Sequence, residues 1–197
     1  MRKAPDRICG AMLNLMQTKS VDSITVKELI AEAGVSRSSY NYNFYTMQDV
    51  IDRIISGITD GVVDVMDRAF RSDLQPSGIN VSLYSDVFQY IYAQREKLRL
   101  LDNAGYRDRI RNRLFDSLID FFGKWSYVYE DADGKEELLS DGMVYILKNT
   151  ENASRLVADF TFCAQYDYSL PSDFFDDIIR TSRHIRVIRA EPKKSSF

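Results

Sequence analysis

The chain has 197 residues, 45% of them hydrophobic and 28% charged, with a formal net charge of −3. That length can bury a sizeable core in one or two domains, and the composition is ordinary for a soluble globular protein. The weakly acidic total argues against non-specific coating of nucleic acid but leaves room for a local basic surface, and no run of about 18 apolar residues marks a membrane span.

The opening "MRKAPDRICG" carries charge with no apolar stretch of signal-peptide length behind it, so cytoplasmic residence is the expectation. Cys9 and Cys163 stand far apart without a second pair. Buried free thiols are therefore expected, rather than a zinc site or a disulfide framework. Ile8, Met12, Leu15 and Met16 form one stripe of an amphipathic helix. "TVKELIAEAG" opens with Thr25 three residues before Glu28, the spacing of a capping box, and stops at Gly34. "SRSSYNYNF" starts a third helix with Ser36 as its cap. A long fourth helix begins at Thr46 and Asp49 and carries Val50, Ile51, Ile54, Ile58, Val62, Val65 and Met66 at helical spacing, with Gly57 and Gly61 as weak points. Residues 71–80, "RSDLQPSGIN", read as a linker. Beyond it the spacing predicts helices near 80–100, 106–127, 136–148, 151–169 and 172–189, with Pro171 separating the last two, and "AEPKKSSF" reads as a frayed tail. No alternating strand pattern is convincing, so the fold class is all-α.

"TVKELIAEAGVSRSSYNYNF" has the spacing of a helix-turn-helix. Leu29, Ile30 and Ala33 give the first helix an inner face, and Gly34 can take the left-handed conformation that ends it. Val35 plugs the angle between the helices, while Tyr40 and Phe44 turn the second helix toward the core. Arg37, Ser38, Ser39, Asn41, Tyr42 and Asn43 are left for its outer face. Ser and Asn are mediocre helix formers, so their accumulation asks for a reason. Two readings fit: a polar surface helix of weak propensity, or a helix entering the major groove, where Asn reads adenine, Arg reads guanine or phosphate, and hydroxyls hold phosphates.

Residues 8–55 resemble the DNA-binding domain of the TetR family of bacterial regulators, on the stretch "SITVKELIAEAGVSRSSYNYNFYTMQDVI". The remainder is only loosely similar to the helical C-terminal domain of one branch of that family. The resemblance implies an N-terminal three-helix DNA-binding domain (1–48), a larger helical effector-binding and dimerisation domain (49–190) and a flexible tail (191–197). It implies that Thr25 caps its helix on a phosphate, that Arg37, Ser38 and Ser39 face the groove, and that Asn41 and Tyr42 approach backbone or base edges. With Lys27, Ser36 and Asn43 these make up the expected DNA-binding set. The chain departs from the family at Tyr40, where leucine is frequent, at Asn41, where tyrosine is, and at Met47, where a lysine holds a phosphate. Fewer phosphate anchors imply modest affinity and a shallow salt dependence per half-site. Arg2 and Lys3 offer a basic arm in compensation, against the plainer reading of a disordered terminus.

Elsewhere, His184 is the one histidine, which leaves a catalytic triad or a metal site unsupported and no enzyme expected. "EDADGKEELLSD" fails as a calcium loop, because a loop glycine at Gly134 would put Tyr129 first and Ser140 twelfth. An acidic lead-in to a helix is the simpler account of its net −5 over residues 130–141. Residues 95–113 carry a net +4, which fits a solvated helix pair, an anionic effector site or a surface that docks the acidic segment. Of 24 aromatic residues, 18 lie between Tyr84 and Phe175. Core packing accounts for most, yet Tyr90, Tyr106, Phe115, Phe122, Tyr145, Phe162 and Tyr166 could line a cavity for a small apolar or aromatic effector.

TetR-like dimers form through the last two long helices, which implies Leu156, Val157, Phe160, Phe174, Phe175, Ile178, Ile179 and Ile185 as homodimer contacts. A two-fold pair of recognition helices implies double-stranded DNA with a palindromic operator, and repression relieved by effector as the usual outcome, activation being the other. No cofactor is implied. The competing reading is a dimeric helical sensor or protein-interaction module with weakened DNA binding.

Overall fold

The structure, a computed structural model, describes residues 3–72, 81–130, 135–170 and 187–192. The order is α1 (Ala4–Met16), α2 (Val26–Ala33), α3 (Arg37–Asn43), α4 (Met47–Ser72), α5 (Val81–Ala93), α6 (Arg95–Asn103), α7 (Arg107–Phe122), β1 (Trp125–Glu130), β2 (Glu136–Leu139), α8 (Gly142–Gln165) and β3 (Val187–Pro192), with a 3-10 turn at Val21–Ser23. The all-α class holds, with a small sheet added to it. The chain forms two compact units, one of Met1–Ile58 with Glu96–Ile110 and the other of Thr59–Arg95 with Arg111–Phe197. No helix of the described residues is long and apolar enough to cross a membrane.

The first unit is built on the apolar stripe of α1. Ile8, Met12 and Met16 are buried together with Ala11, while Leu15 is only half-buried. Pro5 stands in the first turn of α1, where a missing N–H leaves no bond unmade. Leu29 and Ala33 of α2, Tyr40 of α3, Phe44, and Val50, Ile51, Ile54, Ile55 and Ile58 of α4 close this core, with Leu98 and Leu101 of α6 and Ile110 of α7 also fully buried. Ile30, expected on the inner face of α2, is half-buried.

Aromatic interlock dominates the second unit. The Phe70 ring meets Phe121 edge-on at 5.0 Å and Trp125 at 5.0 Å, and Phe121 meets Phe122 at 5.4 Å. Such pairs add about 0.5–1.5 kcal/mol each beyond the area they bury. The Tyr145 hydroxyl of α8 lies 2.8 Å from the Trp125 carbonyl and 3.1 Å from that of Phe122, sharing its proton between them. This ties α8 to the junction between α7 and β1.

Several sequence expectations need correction. The single helix expected over 80–100 is two, broken at Gln94, and that over 106–127 ends at Phe122. Helices expected at 136–148 and 151–169 are one, α8, preceded by a strand. The sheet has the order β2-β1-β3, both pairings antiparallel, with Tyr127 opposite Leu139 on one side and Ala190 on the other. Period-two alternation is missing from β1 because Trp125, Ser126, Tyr127 and Val128 are all buried, so neither face of this central strand is polar. Of the helix expected at 172–189, residues 172–186 lie outside the described residues and 187–189 belong to β3. Ala190, Glu191 and Pro192 of the expected tail are also in β3. Residues 73–80 of the expected linker, His184 and residues 131–134 of the acidic stretch lie outside the described residues, and 136–139 of that stretch form β2 rather than a helix lead-in.

The C-terminal end of α8 departs from ordinary backbone geometry. Asp167 (φ 55°) and Tyr168 (φ 54°) follow one another in the left-handed region. Side chains there cost about 1–2 kcal/mol per residue. The burial of Tyr168 offsets this, its ring 5.7 Å from Phe160 and its N–H donating to the Cys163 carbonyl at 2.8 Å.

Asn149 is the anomaly of the buried face of α8: it is 5% exposed, and its Oδ1 has no hydrogen-bond partner among the described residues. An unmet buried acceptor is destabilising, so Asn149→Leu should raise the unfolding free energy by about 1–2 kcal/mol, read as a higher urea midpoint at unchanged m.

Candidate functional site

Local chemistry explains how α2 and α3 are set. The Thr25 hydroxyl accepts from the Glu28 N–H at 3.2 Å, and the Glu28 carboxylate accepts from the Thr25 N–H at 2.9 Å and the Thr25 hydroxyl at 2.8 Å. Lys19 adds an ion pair to the same carboxylate. The Lys19 ammonium, with the Thr25 backbone and side-chain bonds after it, holds the Glu28 carboxyl down at about 2. Gly34 ends α2 at φ 59°, ψ 38°. The Arg7 guanidinium of α1 donates to the Gly34 carbonyl, and Asn14 of α1 donates to Glu32 at 3.2 Å. Thus α1 braces both α2 and the turn that follows it. Ser36 then caps α3 by accepting from the Ser39 N–H at 3.1 Å.

Tyr40 and Phe44 are buried, with ring centroids 6.0 Å apart, and turn the opposite face of α3 outward. Arg37, Ser38, Asn41 and Tyr42 are exposed there, Tyr42 to 90%, and Ser39 is half-buried. Thr25 and Lys27 are exposed on the neighbouring α2 segment, and Val35 is half-buried in the turn. Four of the expected contacts already have work within the protein. Ser36 is the cap and shares a hydrogen bond with Ser38 at 2.9 Å; the Asn43 amide donates to the Ser39 carbonyl at 2.7 Å; and the Thr25 hydroxyl belongs to the capping box. On this face the side chains of Arg37 and Asn41 make no hydrogen bond among the described residues.

One exposed residue escapes the sequence reading. Tyr45 is 96% exposed, more than any other large apolar or aromatic side chain described. Phe44 is extended (φ −142°, ψ 134°), and extended backbone sends successive side chains to opposite sides, so a buried Phe44 forces Tyr45 outward. Its N–H donates to the Asp49 carboxylate at 2.9 Å, which also accepts from Thr46 at 2.8 Å, while the Thr46 hydroxyl caps Asp49 in return at 3.1 Å. The Thr46 N–H, supported by that of Tyr45, holds the Asp49 carboxyl below the usual carboxylate range.

The other constellations resolve differently. In residues 95–113, Arg99 pairs with Glu96, Arg107 with Asp102, Arg109 with Asp52 at 2.7 Å, and Arg113 with Asp60 at 3.8 Å. The pairs of Arg109 and Arg113 are open to solvent on both sides and worth little each, whereas the Asp102 carboxylate is buried beneath Arg107. The aromatic set is dispersed. Tyr106 belongs to the first unit, its hydroxyl 3.4 Å from Gln48. Phe122 and Tyr145 are core residues, Phe115 is half-buried, and Phe162 stacks on the exposed Tyr166 at 4.8 Å. Tyr90 fills the space a side chain at Gly61 would need, which explains that glycine in α4. Of the expected dimer contacts, Leu156, Val157 and Phe160 are buried within the chain itself, and Phe174, Phe175, Ile178, Ile179 and Ile185 lie outside the described residues. Exposed apolar surface on α8 falls earlier, at Met143, Val144, Ile146 and Leu147. Both cysteines are free; Cys163 is buried and Cys9 only half-buried, and burial pushes their thiols up to about 12 and about 11.

Two substitutions test this construction. A Cβ at Gly34 would stand 2.7 Å from Arg7 Nη2 in a left-handed backbone, so Gly34→Ala should lower stability by about 1–2 kcal/mol in chemical denaturation. Because the folded Glu28 carboxyl is depressed from 4.5 to about 2, its contribution is fully present above pH 4.5 and is lost as pH falls toward 2. The difference in urea midpoint between wild type and Glu28→Gln should therefore be constant above pH 4.5 and shrink steadily below it.

No protein-family model matches the chain, and no curated protein matches it in sequence. Solved structures do. A TetR/AcrR-family transcriptional regulator from Aquifex aeolicus VF5 superposes with a TM-score of 0.56 at 12% identity, over 90% of this chain and 96% of that one. A proposed fatty acid metabolism regulator of Clostridium perfringens gives 0.54 at 16% identity, over 88% and 94%. With its capped helix-turn-helix and its second, larger helical unit, the chain has the fold of the TetR/AcrR-type transcriptional regulators.

Proposed function

We propose that the protein is a TetR-like transcriptional regulator that binds double-stranded DNA through α3. The observation that carries this is the outward face of α3: Arg37, Ser38, Asn41 and Tyr42 stand exposed on a helix whose other face and N-terminus are fixed by Tyr40, Phe44 and Ser36. A polar face of donors and acceptors held on a capped helix suits both phosphates and major-groove base edges. In this reading residues 1–48 bind DNA, while residues 49–190 dimerise and take up a small effector. The homodimer places two copies of α3 on a palindromic operator. Effector binding favours a separation of the two that fits DNA poorly, releasing a repressor. In this reading the protein is a regulator and not an enzyme, and the cytoplasm is where it meets its DNA.

The test is fluorescence anisotropy on intergenic DNA flanking the protein's own gene against a scrambled duplex, across a series of salt concentrations. Selective binding that weakens with salt is expected; equal weak binding to both duplexes, followed by failure to select any sequence from random DNA, would favour the sensor reading. Arg37→Ala and Asn41→Ala should each cost about 1–3 kcal/mol on the specific duplex and less on the scrambled one, because base-reading groups discriminate.

A further inference from the structure

Tyr45 is the side chain whose exposure the fold does not explain. Two other exposed tyrosines are packed on something: Tyr92 lies beneath the Arg95 guanidinium at 4.3 Å, and Tyr166 lies against Phe162 at 4.8 Å. The Tyr45 ring stands 96% exposed, and nothing described pairs with it. Its backbone is nonetheless held, by the bond from its N–H to Asp49 at the start of α4. A large ring on a pinned backbone loses little freedom when it is bound, which suits it to contact rather than to solvent. Tyr42, 90% exposed, precedes it by three residues on the outer face of α3, so two phenolic hydroxyls flank the exit of that helix.

We propose that Tyr45 is a DNA-backbone anchor: its hydroxyl donates to a phosphate oxygen of the duplex strand beside the groove that α3 enters. This rests on the DNA-binding reading and adds to it a residue outside the helix. Position decides between phosphate and base. Tyr45 lies past Phe44, the C-cap of α3, and therefore beyond the part of the helix that can insert between base edges. The phenol is neutral and donates to an anion, a charge-assisted bond that displaces no counterion of its own. The Asp49 carboxylate close by does not oppose the approach of a phosphate strongly, since it is turned onto the N–H groups of Tyr45 and Thr46 at the positive end of a 26-residue helix.

The prediction separates this contact from an ionic one. Wild type, Tyr45→Phe, Tyr45→Ala and Arg37→Ala are compared by anisotropy on the specific and the scrambled duplex over a salt series, with thermal unfolding as a control for folding. Tyr45→Phe should weaken binding about tenfold on both duplexes, with the salt slope unchanged; Tyr45→Ala should weaken it at least as much. Arg37→Ala should shift the discrimination between duplexes instead. Wild-type affinity in Tyr45→Phe would overturn the hydroxyl anchor, whatever Tyr45→Ala does, as would a loss confined to the specific duplex, which assigns the ring to base reading. A wild-type protein that binds neither these nor any selected duplex overturns the DNA-binding reading itself, a result distinct from the first two.

Discussion

A helix of seven residues such as α3 does not persist alone in water, where helices below about 12 residues are marginal. Its existence therefore depends on what holds its ends and inner face. Ser36 satisfies the N-terminus, Tyr40 and Phe44 sink the inner face, and the left-handed turn at Gly34 aims the whole element relative to α2. Arg7 reaches from α1 to the carbonyl of that same glycine, so the first helix supports the geometry of the third through the turn between them. The outer face of α3 is presented in one orientation because of this bracing, and a preorganised face loses less freedom on binding.

The first unit was legible because its signals are short-range. Thr25 and Glu28 are three residues apart, Gly34 follows the last apolar residue of α2, and Ser36 and Thr46 precede the helices they cap. Caps and turns of this kind are chemistry between neighbours, and sequence displays neighbours directly. What stayed hidden was which polar groups the caps would occupy. Asn43 reads as a base-contacting amide until its bond to the Ser39 carbonyl is seen, and nothing in the sequence marks Tyr45 until the extended Phe44 throws it outward.

The second unit was less legible for the opposite reason. β1 is buried on both faces, so Trp125, Ser126, Tyr127 and Val128 show no alternation to mark a strand, and its partners come from 136–139 and from 187–192, far apart in the chain. Aromatic composition left core packing and a lined cavity both open; Phe122 and Tyr145 are members of the core, and Tyr106 is in the other unit. Composition tells how much ring surface a domain holds, not which rings face one another. Likewise Leu156, Val157 and Phe160 have the right character for an interface but are enclosed by their own chain, and the exposed apolar residues of α8 stand two or more turns nearer its start.

Both native thiols are held far from the thiolate range, Cys9 near 11 and Cys163 near 12. At neutral pH the reactive anion is scarce at either site, and maleimide or iodoacetamide chemistry proceeds through that anion. A cysteine introduced on an open surface would then outcompete the two native ones for a spectroscopic probe without their removal. Distance measurements between two such probes thus become accessible in an otherwise unaltered sequence.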